Sequence, residues 1–273
     1  MSRVFNANLF RLRKSRLFWW AVVWTALVTA GGTLLCCLTI EGDVSEYALE
    51  NYALSGAPIA AVVNAAAVIL FLGADHSERT VRNKLIVGNK RGGIYAANML
   101  TGVVIGCSVN AAWLVGGLAG VPILGWWKMP PSEAAVYIAS SMACAVAVSA
   151  AAALAGMLIQ SKSVAVTVGL VASFTLIFGA GSASARLGEQ REIMTAAVVD
   201  GEMKFELIEN PNYVDGVKRA AYELALNVNP LGSSVALSNC DLENPAAGLA
   251  GAGFITVFIS SLGAAAFRGK DLR

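Results

Sequence analysis

The sequence predicts an all-α membrane protein: six transmembrane helices, both termini cytoplasmic, a short marked helix in one cytoplasmic turn and an extracellular helical cap before the last span. Three observations predict this. The chain is 56% hydrophobic and only 14% charged, against about 25% charge in a soluble domain. Its charges cluster and leave six long uncharged blocks. The basic residues fall mainly between alternate blocks, as the positive-inside rule requires.

A membrane helix needs about 20 apolar residues, because each residue rises about 1.5 Å against a hydrocarbon core of about 30 Å. Leu17 to Ile40, Tyr52 to Ala74, Gly92 to Trp127, Ala134 to Gln160, Ser163 to Ala185 and Asn244 to Phe267 meet this without a single Asp, Glu, Lys, Arg or His. The third block is long and is expected to break near Pro122. Backbone in lipid must satisfy its own hydrogen bonds, which leaves helices for such blocks. No ten-residue alternation of the β-barrel kind is present. The first block is too long for a secretory h-region of about 7 to 15 residues, so it reads as a retained span in a multi-pass cell-membrane protein.

Six spans place the N-terminus, the second-to-third loop, the fourth-to-fifth loop and the C-terminus on one side. That side holds fourteen of the twenty Lys and Arg residues and only Asp75, Glu78 and Asp271 as acids; the other holds six basic and fifteen acidic residues. The whole chain, 1–273, reads as one transmembrane domain.

Along that domain, residues 2–16 form a basic amphipathic elbow. Phe5, Leu9 and Leu12 share one helix face, suited to the membrane interface. Trp126 and Trp127 fit an aromatic belt at the second outer loop. The cytoplasmic loop 75–91 is the most informative stretch. Asp75, with Glu78 three residues on, approximates a capping box. Val81 and Leu85 lie four apart on one face, flanked by Arg82 and Lys84, and Gly88 can close the helix in the left-handed conformation. A defined helix in a cytoplasmic turn points to protein docking more than to generic membrane-facing charge.

The spans are rich in small residues. Gly102 and Gly106 form a GxxxG, Gly116 and Gly120 repeat the spacing, and the fourth block carries a run of Ala and Ser. Small residues let helices approach closely where lipid supplies no hydrophobic drive. Tight packing follows, within the chain or between two copies. Asn64 and Asn110 are the clearest polar groups inside spans and read as interhelical glue or as cavity lining. In the outer loop 186–243, Val199 to Glu202 with the alternation over Lys204 to Ile208 suggests a small hairpin. Asn210-Pro211 then opens a helical pattern with Val214, Val217, Ala221 and Leu224 on one face, ended by Pro230. This segment is expected to cap the outer ends of the spans.

Several function classes are disfavoured. A net charge of +2 gives no nucleic-acid footprint. Cys36, Cys37, Cys107, Cys144 and Cys240 form no C-x-x-C. His76 is the sole histidine, so a His-ligated metal or cofactor site is nearly excluded. No Walker-type phosphate loop occurs. No block contains an ionisable group, which counts against a proton- or ion-coupled carrier.

In four places the chain resembles the membrane subunits of type-2 ABC transporters, most of them bacterial exporters. These are the basic amphipathic start, the stretch Glu78-Arg79-Thr80-Val81-Arg82-Asn83-Lys84-Leu85-Ile86-Val87-Gly88, the segment Asn210 to Arg219, and the tail Phe267-Arg268-Gly269-Lys270-Asp271-Leu272-Arg273. The stretch from Glu78 to Gly88 is similar to the family's E-x-x-x-x-T-I-R-N-K-L-I-x-G. Arg79 departs from the family's frequent Gly before the Thr. The resemblance implies a permease with no ATPase of its own, paired with another permease subunit (same chain or paralogue) and driven by separate ABC ATPase subunits. Those partners would hold the ATP and magnesium. It implies ATPase docking through Glu78, Thr80, Val81, Arg82, Asn83, Lys84, Leu85 and Gly88, with Val81 and Leu85 filling a groove and Arg82 and Lys84 orienting the contact. Asn64, Asn110, Gly102 and Gly106 would line the pathway or pack helices. The competing expectation is a non-transporting membrane scaffold or assembly factor beside a sensor or ATPase.

Overall fold

A computed structural model describes residues 2–40, 47–77, 80–199, 202–240 and 244–269. Among these residues, twelve α-helices and one hairpin follow in order: α1 (Ser2–Lys14), α2 (Arg16–Leu38), α3 (Leu49–Leu54), α4 (Ala57–Ser77), α5 (Thr80–Ile86), α6 (Arg91–Gly117), α7 (Val121–Leu124), α8 (Pro131–Leu158), α9 (Lys162–Leu187), β1 (Glu192–Val199), β2 (Glu202–Glu209), α10 (Gly216–Val228), α11 (Gly232–Ser238) and α12 (Pro245–Gly269).

Six helical stretches are long and apolar enough to cross a membrane, as in a multi-pass membrane protein, and they coincide with the six uncharged blocks. The first, third and fifth begin on the basic residues Arg16, Arg91 and Lys162. Backbone hydrogen bonding runs on through the charge that bounds each apolar block. The third stretch passes through a 3-10 turn at Leu118–Gly120 before α7, close to Pro122 as expected. The second is also divided, since α3 turns at Ser55 and Gly56 into α4.

Burial separates the spans into two groups. The second, third and fourth stretches are 61%, 50% and 56% buried over their most apolar windows; the first, fifth and sixth are 17%, 17% and 11% buried. The core therefore lies between α4, α6 and α8, where Val68, Ile69, Leu72, Ile105, Val109, Val148 and Met157 interlock. Helices α2, α9 and α12 pack around it. Their outer faces carry Trp20, Leu27, Val171, Phe178, Phe254 and Val257, all exposed. An apolar exterior suits lipid and would be costly in water.

Side chains at helix crossings are small because backbones must approach. A Cβ on Gly106 would lie 2.1 Å from Ser149 Oγ, and one on Gly102 would lie 3.1 Å from Val68. The GxxxG therefore serves packing inside the chain. Asn64 bridges the same crossing: its Nδ2 donates to the Ala145 carbonyl at 3.0 Å, and its Oδ1 accepts from Ser149 Oγ at 3.1 Å. Asn110 donates to Ser141 Oγ at 3.1 Å. Both asparagines thus hydrogen-bond across helix crossings, and both also line a small cavity of about 10 Å³ there.

The all-α expectation needs one amendment. Strands β1 and β2 pair antiparallel, with Glu192 opposite Glu209 and Val199 opposite Glu202, so the hairpin suggested by the alternation is present. Residues 200–201 lie outside the described residues. The buried Asn210 fixes the hairpin base: its N–H donates to the Arg191 carbonyl and its Nδ2 to Glu189 and to the Gln190 carbonyl.

The segment expected as a cap differs in two ways. Helix α10 starts at Gly216, later than Asn210-Pro211, and a buried helix, α11, follows it and packs on α4, α8 and α9. Of the apolar stripe, Val214 is buried, but Val217 is 87% and Leu224 is 64% exposed. The side of α10 that turns inward instead brings Glu223, Leu226 and Asn227 to a cavity against α9, α11 and α12. In water, burial would have turned the stripe inward. A helix beside apolar spans has no such compulsion.

Candidate functional site

The basic segments that lie far apart in sequence meet at one end of the bundle. Helix α1 packs on α6 through a ridge of Val4, Asn8 and Leu12. This ridge replaces the expected Phe5, Leu9 and Leu12 face; Phe5 and Leu9 are only half-buried. The helix is rotated because Asn8 and Arg11 engage polar partners beneath it.

Those partners converge on Asp75. It lies in the last turn of α4 and is 1% exposed. It therefore does not cap a following helix from outside, as the capping-box reading expected. A carboxylate at a helix C-terminus opposes the macrodipole, and two cations offset it. The Arg11 guanidinium pairs with Oδ1, and Lys84 Nζ lies 2.7 Å from Oδ2. Thr80 Oγ1 donates to Oδ1 at 2.9 Å, and Asn98 Nδ2 approaches Oδ2 at 3.4 Å. Asn8 closes the network. Its Nδ2 donates to Asn98 Oδ1 at 2.7 Å and to Thr101 Oγ1 at 3.3 Å, while its Oδ1 accepts from Lys84 at 3.2 Å. Arg11 also stacks 4.3 Å from the centre of the Phe71 ring and reaches the Phe71 carbonyl. One carboxylate thus joins α1, the end of α4, α5 and the start of α6.

Helix α5 is held at both ends. Thr80 ties its start to Asp75. At its other end Asn89 N donates to the Lys84 carbonyl at 3.4 Å and Gly88 N to the Leu85 carbonyl at 2.9 Å. This is the paired closure of a Schellman motif. Gly88 takes φ +88° there, which a side chain would resist. The expected left-handed terminus is present.

The side chains of α5 differ from the expected pattern. Lys84, expected as an outward docking charge, turns inward to Asp75. Leu85, expected to fill a partner's groove, is half-buried against the chain's own core. Asn83 is exposed. The outward apolar residues are instead Ile86 and Val87, 73% and 82% exposed. Glu78 lies outside the described residues, as do the side chains of Val81 and Arg82. Asn64, Asn110, Gly102 and Gly106 belong to the core crossing and not to this end.

Sequence reasoning missed Asn8, Arg11, Asn98 and the true role of Asp75. Their signal was an aspartate closing an uncharged span, set among basic residues. On the opposite end, the buried Glu50 plays a similar part: its carboxylate accepts from the Lys128 and Met129 amides at 3.2 and 3.0 Å and so fastens the loop between α7 and α8 to α3. Among the described residues, no group of His, Cys, Asp and Glu is placed to hold a metal ion. Comparison with known proteins supplies no relative: no protein-family model, curated protein or solved structure matches the chain.

Proposed function

We propose that this chain is the membrane subunit of an ATP-driven exporter of the type-2 ABC class. It forms half of a translocation pathway with another permease subunit and docks a separate ATPase through α5 on the cytoplasmic side. The observation that carries this reading is the Asp75 network. A seven-residue helix fastened at both ends, and joined through one buried carboxylate to α1, α4 and α6, is built to transmit force. A push on α5 moves two long core helices as one body, which is how rigid-body switching works. Charged residues in the described spans lie only near the span ends, as the buried Glu50 and Asp75 do, so no charged relay crosses them to serve another energy source, and the sequence has none of the phosphate-binding loop that ATP needs. Ile86 and Val87 supply the apolar contact that a partner's groove would cover. The exposed faces of α2, α9 and α12 are free for lipid and for the other permease subunit.

The experiment is affinity capture of the full chain from its native membrane in mild detergent, with quantification of a co-captured Walker-motif ATPase. Ile86→Asp with Val87→Asp is expected to cut the retained ATPase by about tenfold or more, as removal of a central apolar anchor does, while the variant still elutes as a folded species. Leu85→Asp is expected to lower the folded yield itself, because Leu85 packs inward. Retention of the ATPase at wild-type level by the folded Ile86/Val87 variant refutes the docking assignment.

A further inference from the structure

Beside the Asp75 network, with which it shares Arg11, lies an open cavity of about 460 Å³, lined by Phe10, Arg11, Lys14, Leu17, Phe71 and Lys162, among others. It lies between α1, the start of α2, the end of α4 and the first turn of α9. Its chemistry is divided. Three cations from two distant segments meet there, and no carboxylate is among the described residues that line it. Asp75, the acid of the neighbouring network, is already matched by two cations, Arg11 and Lys84. Lys14 Nζ rests 4.4 Å from the centre of the Phe10 ring, which leaves its hydrogen-bond donors unspent. The positive end of the long α9 dipole adds to the same field. Apart from Ser15, the rest of the wall is apolar: Phe10, Leu17, Leu70, Phe71 and Ala74. Just beyond, Trp19 and Trp20 are 52% and 69% exposed on α2, where aromatic rings commonly mark the headgroup level.

We propose that this cavity binds the headgroup of an anionic phospholipid. The phosphate sits among Arg11, Lys14 and Lys162, and an acyl chain runs along Leu17, Leu70 and Phe71. An occupant with a charged head and a hydrocarbon tail satisfies both walls; a free anion would leave the apolar wall uncovered, and a neutral lipid would leave Lys14 and Lys162 without a counter-charge, Arg11 being shared with Asp75. Basic pockets between spans suit such headgroups. Because Arg11 belongs to both the cavity and the Asp75 network, a bound lipid also steadies the seat of α1 on α4. The inference rests on the membrane-spanning character of the helices and not on the transport reading.

The test uses the purified full chain in an uncharged detergent, with thermal unfolding followed while lipid is titrated. Phosphatidylglycerol is expected to raise the melting temperature saturably, whereas phosphatidylcholine and inorganic phosphate do not. Lys14→Gln with Lys162→Gln removes two cations, each worth about fivefold, and should raise the half-saturating phosphatidylglycerol concentration by about thirtyfold. Arg13→Gln, an exposed charge on the same helix outside the cavity, should change it by less than about twofold. The proposal is overturned if phosphatidylglycerol has no effect, if phosphatidylcholine acts equally, or if inorganic phosphate alone reproduces the shift. It is also overturned if Arg13→Gln weakens the response as much as the double variant does. The comparison among the three additives on the wild-type chain stands even if the double variant is poorly folded.

Discussion

Replacing Asp75 with Asn keeps the shape of the side chain and removes the charge on which four elements meet. Breaking a buried ion pair by deleting one partner costs about 3–5 kcal/mol when the survivor stays buried and unpaired. Here the survivors are not fully trapped. The Arg11 side chain is 32% exposed and retains Phe71, and the Lys84 side chain is 17% exposed and retains Asn8. The Asn carbonyl can still accept from Thr80. The cost therefore falls to about 2–3 kcal/mol, roughly one charge-assisted hydrogen bond plus part of a desolvated lysine. At about 2–4 °C per kcal/mol for a chain of this size, the melting temperature should fall by about 4–12 °C. Tryptophan fluorescence in mild detergent measures it. Trypsin gives a local readout, because freeing α5 exposes the bonds around Lys84 and Lys90. Cleavage there should quicken more than cleavage at Arg268. Lys84→Met should cost less in the Asp75→Asn background than in the wild type, with a coupling of about 1 kcal/mol or more. A melting temperature within about 1 °C of the wild type, or strictly additive single effects, would refute the view that this carboxylate holds the four elements together.

Gly106→Ala should destabilise the core by about 2–3 kcal/mol, since the added Cβ falls 2.1 Å from Ser149 Oγ and 2.7 Å from Asn64 Oδ1; adding Ser149→Ala should restore part of the loss, read as folded yield and melting temperature. Burial, and then the nearby Glu50 carboxylate, push the Cys240 thiol up to about 11. Below that pH the neutral thiol dominates, so alkylation at pH 7 should be slow and rise about tenfold per pH unit on the way to it. Mass-spectrometric mapping of alkylated Cys240 checks this, and Glu50→Gln should accelerate the reaction at fixed pH.

The elements differ in how legible they were. The six spans could be read because they depend on a one-dimensional quantity, the length of chain without charge. Their ends moved by only a few residues, as where Leu17 to Ile40 became Arg16–Leu38. The close of α5 was equally local: Gly88 sits at a left-handed position that only its immediate neighbours dictate. The stripe on α10 misled, because periodicity reports that a helix has an apolar face and does not report which solvent that face meets. The elbow was misread by about one residue of rotation. Its inward face is set by Asn8 meeting Asn98, 90 positions away. Lys84 and Leu85 resembled outward residues because nothing near them in sequence reveals that Asp75 and the core lie beneath.

By itself, the sequence determined that the chain holds six apolar helices, that its basic segments group on alternate connections, and that a short helix ends at Gly88. Those properties follow from composition and backbone conformation over a few neighbouring residues. Only the tertiary structure decided that α4, α6 and α8 form the core, that Gly102 and Gly106 pack within one chain, and that Asp75 gathers Arg11, Lys84, Thr80 and Asn98. Pairings across 64 and 90 positions depend on how helices cross and rotate. Side-chain volumes and buried polar groups fix those crossings jointly, and no local stretch of chain contains that information.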